Sequence, residues 1–279
     1  TQWFGLSIDS ASALSSIVSD VALFSTGMPF TLAGGNDGLP TAMAAKLASR
    51  IHYGTSVRAI RDTGSGVEIV ATRAGSPATF RGDRVVCTLP ATVLRGVRIE
   101  PEPPADQKTA IAELPYLHIT RTYVQVQRGF WHDEGVTGSA LTDRPAGHVY
   151  THPPEREGSA SERAILESQH AGERARSILA ESDDAIIEHT VRALEEVHPG
   201  IANYVEGGVV QAWSREPESL ACLSAPAPGQ VMRFLEPLQR PHGRIHFAGE
   251  HTTIIRGTME GALASGVRAA QQVHESRRS

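Results

Sequence analysis

The C-terminal stretch RIHFAGEHTTIIRGTMEGALASGVRAAQQVHES, residues 244–276, constrains the fold more than any other part of the chain. The short apolar run IHFA reads as a buried strand that closes on Gly249, where the absence of a side chain lets backbone approach a ligand closely. A second glycine, Gly257, opens a long helix whose first N–H groups form an anion-favouring end. Gly261, Ala262, Ala264, Ser265 and Gly266 keep one region of that helix small. A helix built for tight packing and a helix that starts at a cofactor share this pattern, and the pattern alone weighs them equally.

The chain has 279 residues, enough to bury one large core or two smaller ones. A net charge of −5 gives no basic footprint, so a nucleic-acid partner is not expected. No apolar run reaches the roughly 18–20 residues of a membrane span, and the N-terminus TQWFGLSIDSASAL shows no signal-peptide pattern. The two cysteines, Cys87 and Cys222, make no disulfide framework, so the expectation is a reducing, cytoplasmic setting without membrane attachment. No HExxH and no Cys/His cluster of zinc spacing occurs, and His148 and His152 of HVYTH lie on a strand-like segment, so no metal site is assigned.

Along the chain, Ala13, Ile17, Val21 and Phe24 recur at helical spacing. Gly34, Gly35 and Gly38 mark a tight turn before a helix with Pro40 at its first position. IHYGTSVRAI and GVEIVAT read as two short strands joined by a GSG turn, and GDRVVCTLP as another strand ended by Pro90. EPEPPADQ is a Pro-rich break that suggests a domain crossing. ITRTYVQVQRGFW alternates as a sheet strand, while AILESQHAGERARSIL mixes strand and helix signals. SDDAIIEHTVRALEEVHP is the clearest helix, with Ser182 as its cap and two aspartates at its positive end.

Five segments in one order resemble the flavin-containing amine oxidase family, which includes monoamine, polyamine and L-amino-acid oxidases. HFAGEHTT…GTMEGALASGVRAA is similar to its C-terminal FAD-binding signature, and GGNDGLPTAMAAKLA, with TSVRAI after it, to its glycine turn, helix and following strand. DRVVCTLPATVLRGVRIEPEPP resembles the passage through its TxP motif and ITRTYVQVQRGFW its substrate-domain strand. The spacing W-x3-P-x-S…PG from Trp213 to Gly229 resembles the segment beneath the flavin.

The resemblance implies an α/β fold, with an incomplete FAD-binding domain and an α+β substrate domain. The expected division is 1–29 as a helical segment of the substrate domain, 30–100 as FAD-binding, 101–208 as substrate domain and 209–279 as the C-terminal FAD-binding part. FAD is the implied cofactor, touched by Val57 near the adenine, by Gly249, Glu250 near the ribityl chain, Thr258 and Met259, and by Trp213. A helix N-terminus at the pyrimidine side stabilises a reduced flavin, which is negative there. The implied reaction oxidises the C–N bond of an amine or L-amino acid by hydride transfer, with oxygen as acceptor and hydrogen peroxide as product.

The family's GxGxxG unit, whose glycines admit the pyrophosphate, does not occur in this sequence. The expectation is a second polypeptide or segment carrying that dinucleotide-binding half, hence a hetero-oligomer, covering an otherwise apolar edge and face. At the reaction centre the family's lysine, ten residues before the Trp of Phe-Trp, is Arg121 here. With Trp213 and Thr258 it makes the expected catalytic set. The two aromatic positions that frame amine substrates in monoamine oxidases correspond to Leu223 and Thr258, which favours an amino-acid-like substrate. Cys222 stands at the spacing of a covalent flavin link, and the expectation is nonetheless a flavin held without a bond. A flavin desaturase or porphyrinogen-type oxidase, and a non-catalytic subunit, stay open as alternatives.

Overall fold

The computed structural model describes residues 10–24, 32–152 and 163–276. It is a mixed α/β chain that divides into two units. One, the central unit, runs Tyr116–Cys222, and the other, the split unit, joins Ser10–Pro115 to Leu223–Ser279.

The first passage of the split unit starts with α1 (Ala13–Phe24) and α2 (Gly38–Leu47). Helix α2 begins two residues before the proline expected to open it, and Pro40 sits in the first turn, where its missing N–H is not needed. Strands β1 (Thr55–Asp62) and β2 (Val67–Arg73) form the expected antiparallel hairpin, its turn closed by the Thr63 N–H donating to Gly66 O. Strand β3 (Ser76–Gly82) pairs with β2, then β4 (Val85–Cys87), α3 (Ala91–Leu94) and β5 (Arg98–Glu100) follow, β5 lying parallel to β1. The sheet order β3-β2-β1-β5 buries Ala59, Ile60, Val67, Ala71 and Ile99. The Pro-rich break leads into α4 (Ala105–Glu113) within the same unit.

In the central unit, β6 (Tyr116–Leu117) precedes β7 (Ile119–Val126), β8 (Ala140–Leu141), β9 (His148–His152) and β10 (Ala164–Ala171). Helices α5 (Gly172–Ser177) and α6 (Asp183–Glu195) come next, then β11 (Val205–Ala212). The sheet order is β11-β7-β10-β9-β8, with β7 antiparallel to both neighbours. Ser182 caps α6 as expected, its side chain accepting from the Ala185 N–H. Helix α6 lies over the face of the sheet that carries Val124, Val126 and Leu166, and its Ala193 and Leu194 join that core. Strand β7 ends at Val126, short of Phe130 and Trp131. Those two sit in the core instead, with Trp131 1% exposed and Phe130 stacked on Tyr204 at 4.7 Å. Truncating a Trp buried to that degree costs about 3–5 kcal/mol.

The split unit resumes with β12 (Leu223–Ser224), α7 (Gln230–Gln239), β13 (Ile245–Phe247) and α8 (Met259–Glu275). Strand β13 pairs in parallel with β4. Helix α7 packs on α4, and the buried Gln107 of α4 donates to the carbonyls of Pro237 and Arg240, which the end of α7 leaves without helical partners.

The unit boundaries at 115/116 and 222/223 differ from the expected 100/101 and 208/209. The packing of α4 on α7 keeps residues 101–115 in the split unit, and the β11–β7 ladder, which runs to Ala212, carries residues 209–222 into the central one. Of the expected segment 1–29, residues 1–9 and 25–29 lie outside the described residues, and the α1 residues group with the split unit rather than with the substrate domain.

Candidate functional site

In the split unit the glycine at the end of β13 is required. Gly249 has φ 126°, which side-chain-bearing residues rarely adopt, and a Cβ there would fall 2.6 Å from the His251 ring. Its N–H donates to Ser265 Oγ of α8 at 2.8 Å, tying the strand end to the helix. The Glu250 carboxylate accepts from Ser224 N at 3.1 Å, Ser224 Oγ at 2.8 Å and Gly257 N at 2.9 Å. It therefore pins β12 to the turn before α8. Thr258 caps α8: its Oγ1 accepts from Gly261 N at 2.9 Å and donates to Ile255 O at 3.0 Å. Gly261 is equally required, since a Cβ would lie 2.0 Å from Ile255 O.

Behind this turn, Arg256 is buried and donates from Nη1 to His251 O at 2.7 Å. His251 is 3% exposed, and burial, followed by Arg256 and Arg268, lowers its pKa to about 4. Val57 is half-buried on β1 beside a bulge. Leu223 packs against Gly257, leaving 3.1–3.4 Å to a Cβ placed there.

Gly249, Glu250, Thr258 and Met259 thus share one strand–turn–helix passage. A flavin fits it. Thr258 satisfies only the Gly261 N–H, so the Met259 and Glu260 N–H groups stand at the positive start of a 17-residue helix, and backbone at Gly249 carries no side chain to bar approach. The two side chains expected to meet the cofactor, Glu250 and Thr258, spend their polar atoms on the turn itself.

Helix α8 buries a narrow stripe, Gly261, Ser265 and Ala269, and exposes a broad apolar one. Met259, Leu263 and Val267, spaced four apart, are 43%, 40% and 60% exposed within the described residues.

In the central unit the alternation of β7 puts Arg121, Tyr123 and Gln125 on the sheet face opposite α6. The register brings Glu167 opposite Tyr123, Gln169 opposite Arg121 and Tyr150 opposite Glu167. Glu167 is 2% exposed. Its Oε2 lies 2.7 Å from His152 Nε2, and its Oε1 lies 3.3 Å from Arg121 Nε, an ion-pair distance without hydrogen-bond alignment. Burial opposes the charge on Arg121, but Glu167, Tyr123 and Cys222 outweigh it and the pKa is raised. Burial, with Glu167, pushes the Tyr150 phenol up, against a smaller opposite effect of Arg121. Arg121 is thus the charge partner of a buried carboxylate. Further along this face a hollow of about 250 Å³ is lined by Tyr123, Gln125, Ile165, Glu206 and Val209. Trp213 is partly exposed and lies just past Gln211, the register partner of Arg121.

The sequence reading found Arg121 but not Glu167, Tyr150 or His152. The repeat of His148 and His152 at strand spacing was the available signal, since it placed both on one face. Among the described residues no group of three or more His, Cys, Asp or Glu could hold a metal ion, and no helix is long and apolar enough to cross a membrane.

Residues 2–274 match the family model described as flavin containing amine oxidoreductase. An L-amino-acid oxidase of Siganus canaliculatus is 27% identical over 94% of this chain and 51% of its own length. Cyclohexylamine oxidase from Brevibacterium oxydans IH-35A superposes with a TM-score of 0.74 at 19% identity, over 88% of this chain and 53% of that one. Wild-type putrescine oxidase bound to putrescine gives a TM-score of 0.75 at 18% identity, over 87% and 53%. These likenesses establish the fold, and the chain spans about half the length of the relatives it matches. With the fold, the glycine-closed strand and the capped helix accounted for, the match over nearly the whole chain settles membership: this chain belongs to the flavin containing amine oxidoreductase family, and FAD is its cofactor.

Proposed function

We propose that this chain is part of an FAD-dependent oxidase that oxidises the C–N bond of an L-amino acid, with oxygen as the final acceptor and hydrogen peroxide as product. The observation that carries the choice of an amino acid over a simple amine is Arg121 on the sheet face of the central unit, backed by buried Glu167. A permanent guanidinium offers a substrate carboxylate a charged fork that a lysine does not. The positions expected to frame an amine are occupied by Leu223 and by Thr258, whose hydroxyl is committed to the α8 cap. The 27% identity to the L-amino-acid oxidase of Siganus canaliculatus supports the same choice.

When bound, the flavin supplies the two-electron acceptor for the carbon bearing the amine. This chain's own residues orient and hold charge. Arg121 binds the anionic end of the substrate, Glu167 and His152 fix the guanidinium in place, and Trp213 lines the approach. Gly249 and the first N–H groups of α8 meet the cofactor's negative side, with Glu250 and Thr258 holding their backbone in position. The dinucleotide-binding part is carried by another segment or polypeptide. The exposed Met259–Leu263–Val267 stripe of α8 supports a covering partner of that kind.

The test is anaerobic mixing of the purified flavoprotein with L-leucine, cyclohexylamine or putrescine while following the visible flavin absorption. Bleaching by L-leucine alone, with peroxide released on admitting oxygen, is the expected result. Bleaching by the amines and not by L-leucine overturns the substrate assignment, and a colour that all three leave intact overturns the oxidase.

A further inference from the structure

We propose that Gly207 is a specificity-determining residue, whose missing side chain opens a hollow for an uncharged, ring-bearing substrate side chain. The inference rests on the proposed oxidase reading, in which Arg121 takes the substrate carboxylate. The hollow, about 250 Å³, lies on the Arg121 face of the central unit, with Tyr123, Gln125, Ile165, Glu206, Gly207 and Val209 in its lining. A cavity of ~150 Å³ admits benzene, so the space takes one ring with room for a second fused to it.

Two adjacent glycines of β11 answer to different constraints. At Gly208 a Cβ would fall 2.9 Å from Tyr123 O and 3.1 Å from Ile187 of α6, so packing against the helix excludes a side chain. At Gly207 a Cβ would meet nothing within 4 Å, and the backbone there is extended strand that any residue adopts. A glycine inside a strand forfeits stability and marks a place where something else approaches closely. Gly207 is the register partner of Gln125, so its empty position opens on the same face as Arg121.

The lining sets the chemistry of the occupant. The Tyr123 ring, Ile165 and Val209 make an apolar wall, and Val209 is 66% exposed. A bulge at Glu206, the extra residue between Val205 and Gly207, re-aims its carboxylate, which accepts from Gln125 Nε2 at 2.7 Å. Arg163 pairs with the same carboxylate at 2.9 Å. Glu206 therefore offers a cationic side chain no free charge, and it repels an anionic one. Tyr123 joins the hollow to the anchor. It stands two residues beyond Arg121 on the same face, about 7 Å along the strand, and it bears on the guanidinium, helping to raise its pKa. One amino acid can thus rest its carboxylate on Arg121 and its ring beside Tyr123.

Calorimetric titration of the flavoprotein with indole-3-propionate and propionate tests the hollow apart from turnover, since these are tryptophan and alanine without the oxidisable amine. Indole-3-propionate is expected to bind once per chain and at least tenfold tighter than propionate. Gly207→Leu should bring the two within about threefold, with a melting temperature no lower than the parent's, because the leucine fills space that nothing else occupies. Val209→Trp, which narrows the hollow from the same strand, should shift the ratio in the same direction. In turnover, Gly207→Leu should lower kcat/KM for L-tryptophan at least tenfold more than for L-alanine. A preference that both variants leave in place puts the ring elsewhere and overturns the proposal, as does equal binding of the two acids by the parent. Ring-selective binding that Gly207→Leu abolishes, in a protein whose flavin no L-amino acid reduces, overturns the oxidase and leaves the ring site standing.

Discussion

Glu167 and Arg121 meet across the β10–β7 ladder with 3.3 Å between Oε1 and Nε, and the carboxylate is far more deeply buried than the guanidinium that neutralises it. Removing one partner of such a pair leaves a buried charge, which costs about 3–5 kcal/mol when both are fully enclosed. Arg121 is 36% exposed and His152 still contacts Glu167, so the discounted cost of Arg121→Met is about 1–2 kcal/mol. Adding Glu167→Gln should recover at least half of that. Urea unfolding of the two single variants and the double variant gives the coupling, and strict additivity would retire the pair.

Two glycines of α8 should respond with opposite signs. Gly261→Ala drives a methyl into Ile255 O and should lose about 2 kcal/mol or more, whereas at Gly266 nothing lies within 4 Å and alanine should gain about 0.5–1 kcal/mol. Thermal melts of both variants check the contrast. Equal effects would overturn the close contact of Gly261 with Ile255 O.

Acid should weaken the fold through buried imidazoles. His251 and His170 each have a pKa lowered from 6.5 to about 4, mainly by burial. Between those values the unfolded chain binds the extra protons, so stability is complete above pH 6.5 and falls as pH drops towards 4. The most each can contribute is about 3 kcal/mol. Urea midpoints at pH 7.5, 5.5 and 4.5 should fall in that order, and His251→Gln should flatten the dependence. A flat profile in the parent protein contradicts it.

The flavin should be held without a covalent bond despite Cys222, whose thiol bears on Arg121 and helps raise its pKa. Acid precipitation should leave the yellow colour in the supernatant, and Cys222→Ser should leave the absorption spectrum unchanged. Fluorescence that stays with a Cys222 peptide reverses the reading.

Period and capping exposed β1, β2, β7 and α6 to sequence reading, because each pairs a regular apolar spacing with a recognisable start or turn. Helix α7 escaped it because Pro237 reads as a breaker, yet the proline is buried with Val231, Phe234 and Leu238, and Gln107 takes the carbonyl at its end. Strand β3 carries Pro77 and lies at the edge of its sheet, where a missing N–H is tolerated but the strand signal is weak. Arg121 was singled out by the family resemblance, as the position ten residues before the Trp of Phe-Trp. Its engagement with Glu167 and His152 was not legible, because it depends on the register between β7, β10 and β9, and three separate segments do not announce their register.

The pairing of β13 with β4 sets Phe247 against Cys87, 160 residues earlier in the chain. During synthesis from the N-terminus, the ribosome must finish Tyr116–Cys222 and then release most of the remaining chain before that ladder can close. The central unit draws all of its strands from one uninterrupted stretch and can collapse while translation continues. In the split unit the β3-β2-β1-β5 sheet can form from residues 55–100 alone, but β4, with Val86, must wait for β13 across a long loop closure. Nascent-chain proteolysis should therefore find residues 116–222 resistant before the β4–β13 ladder is.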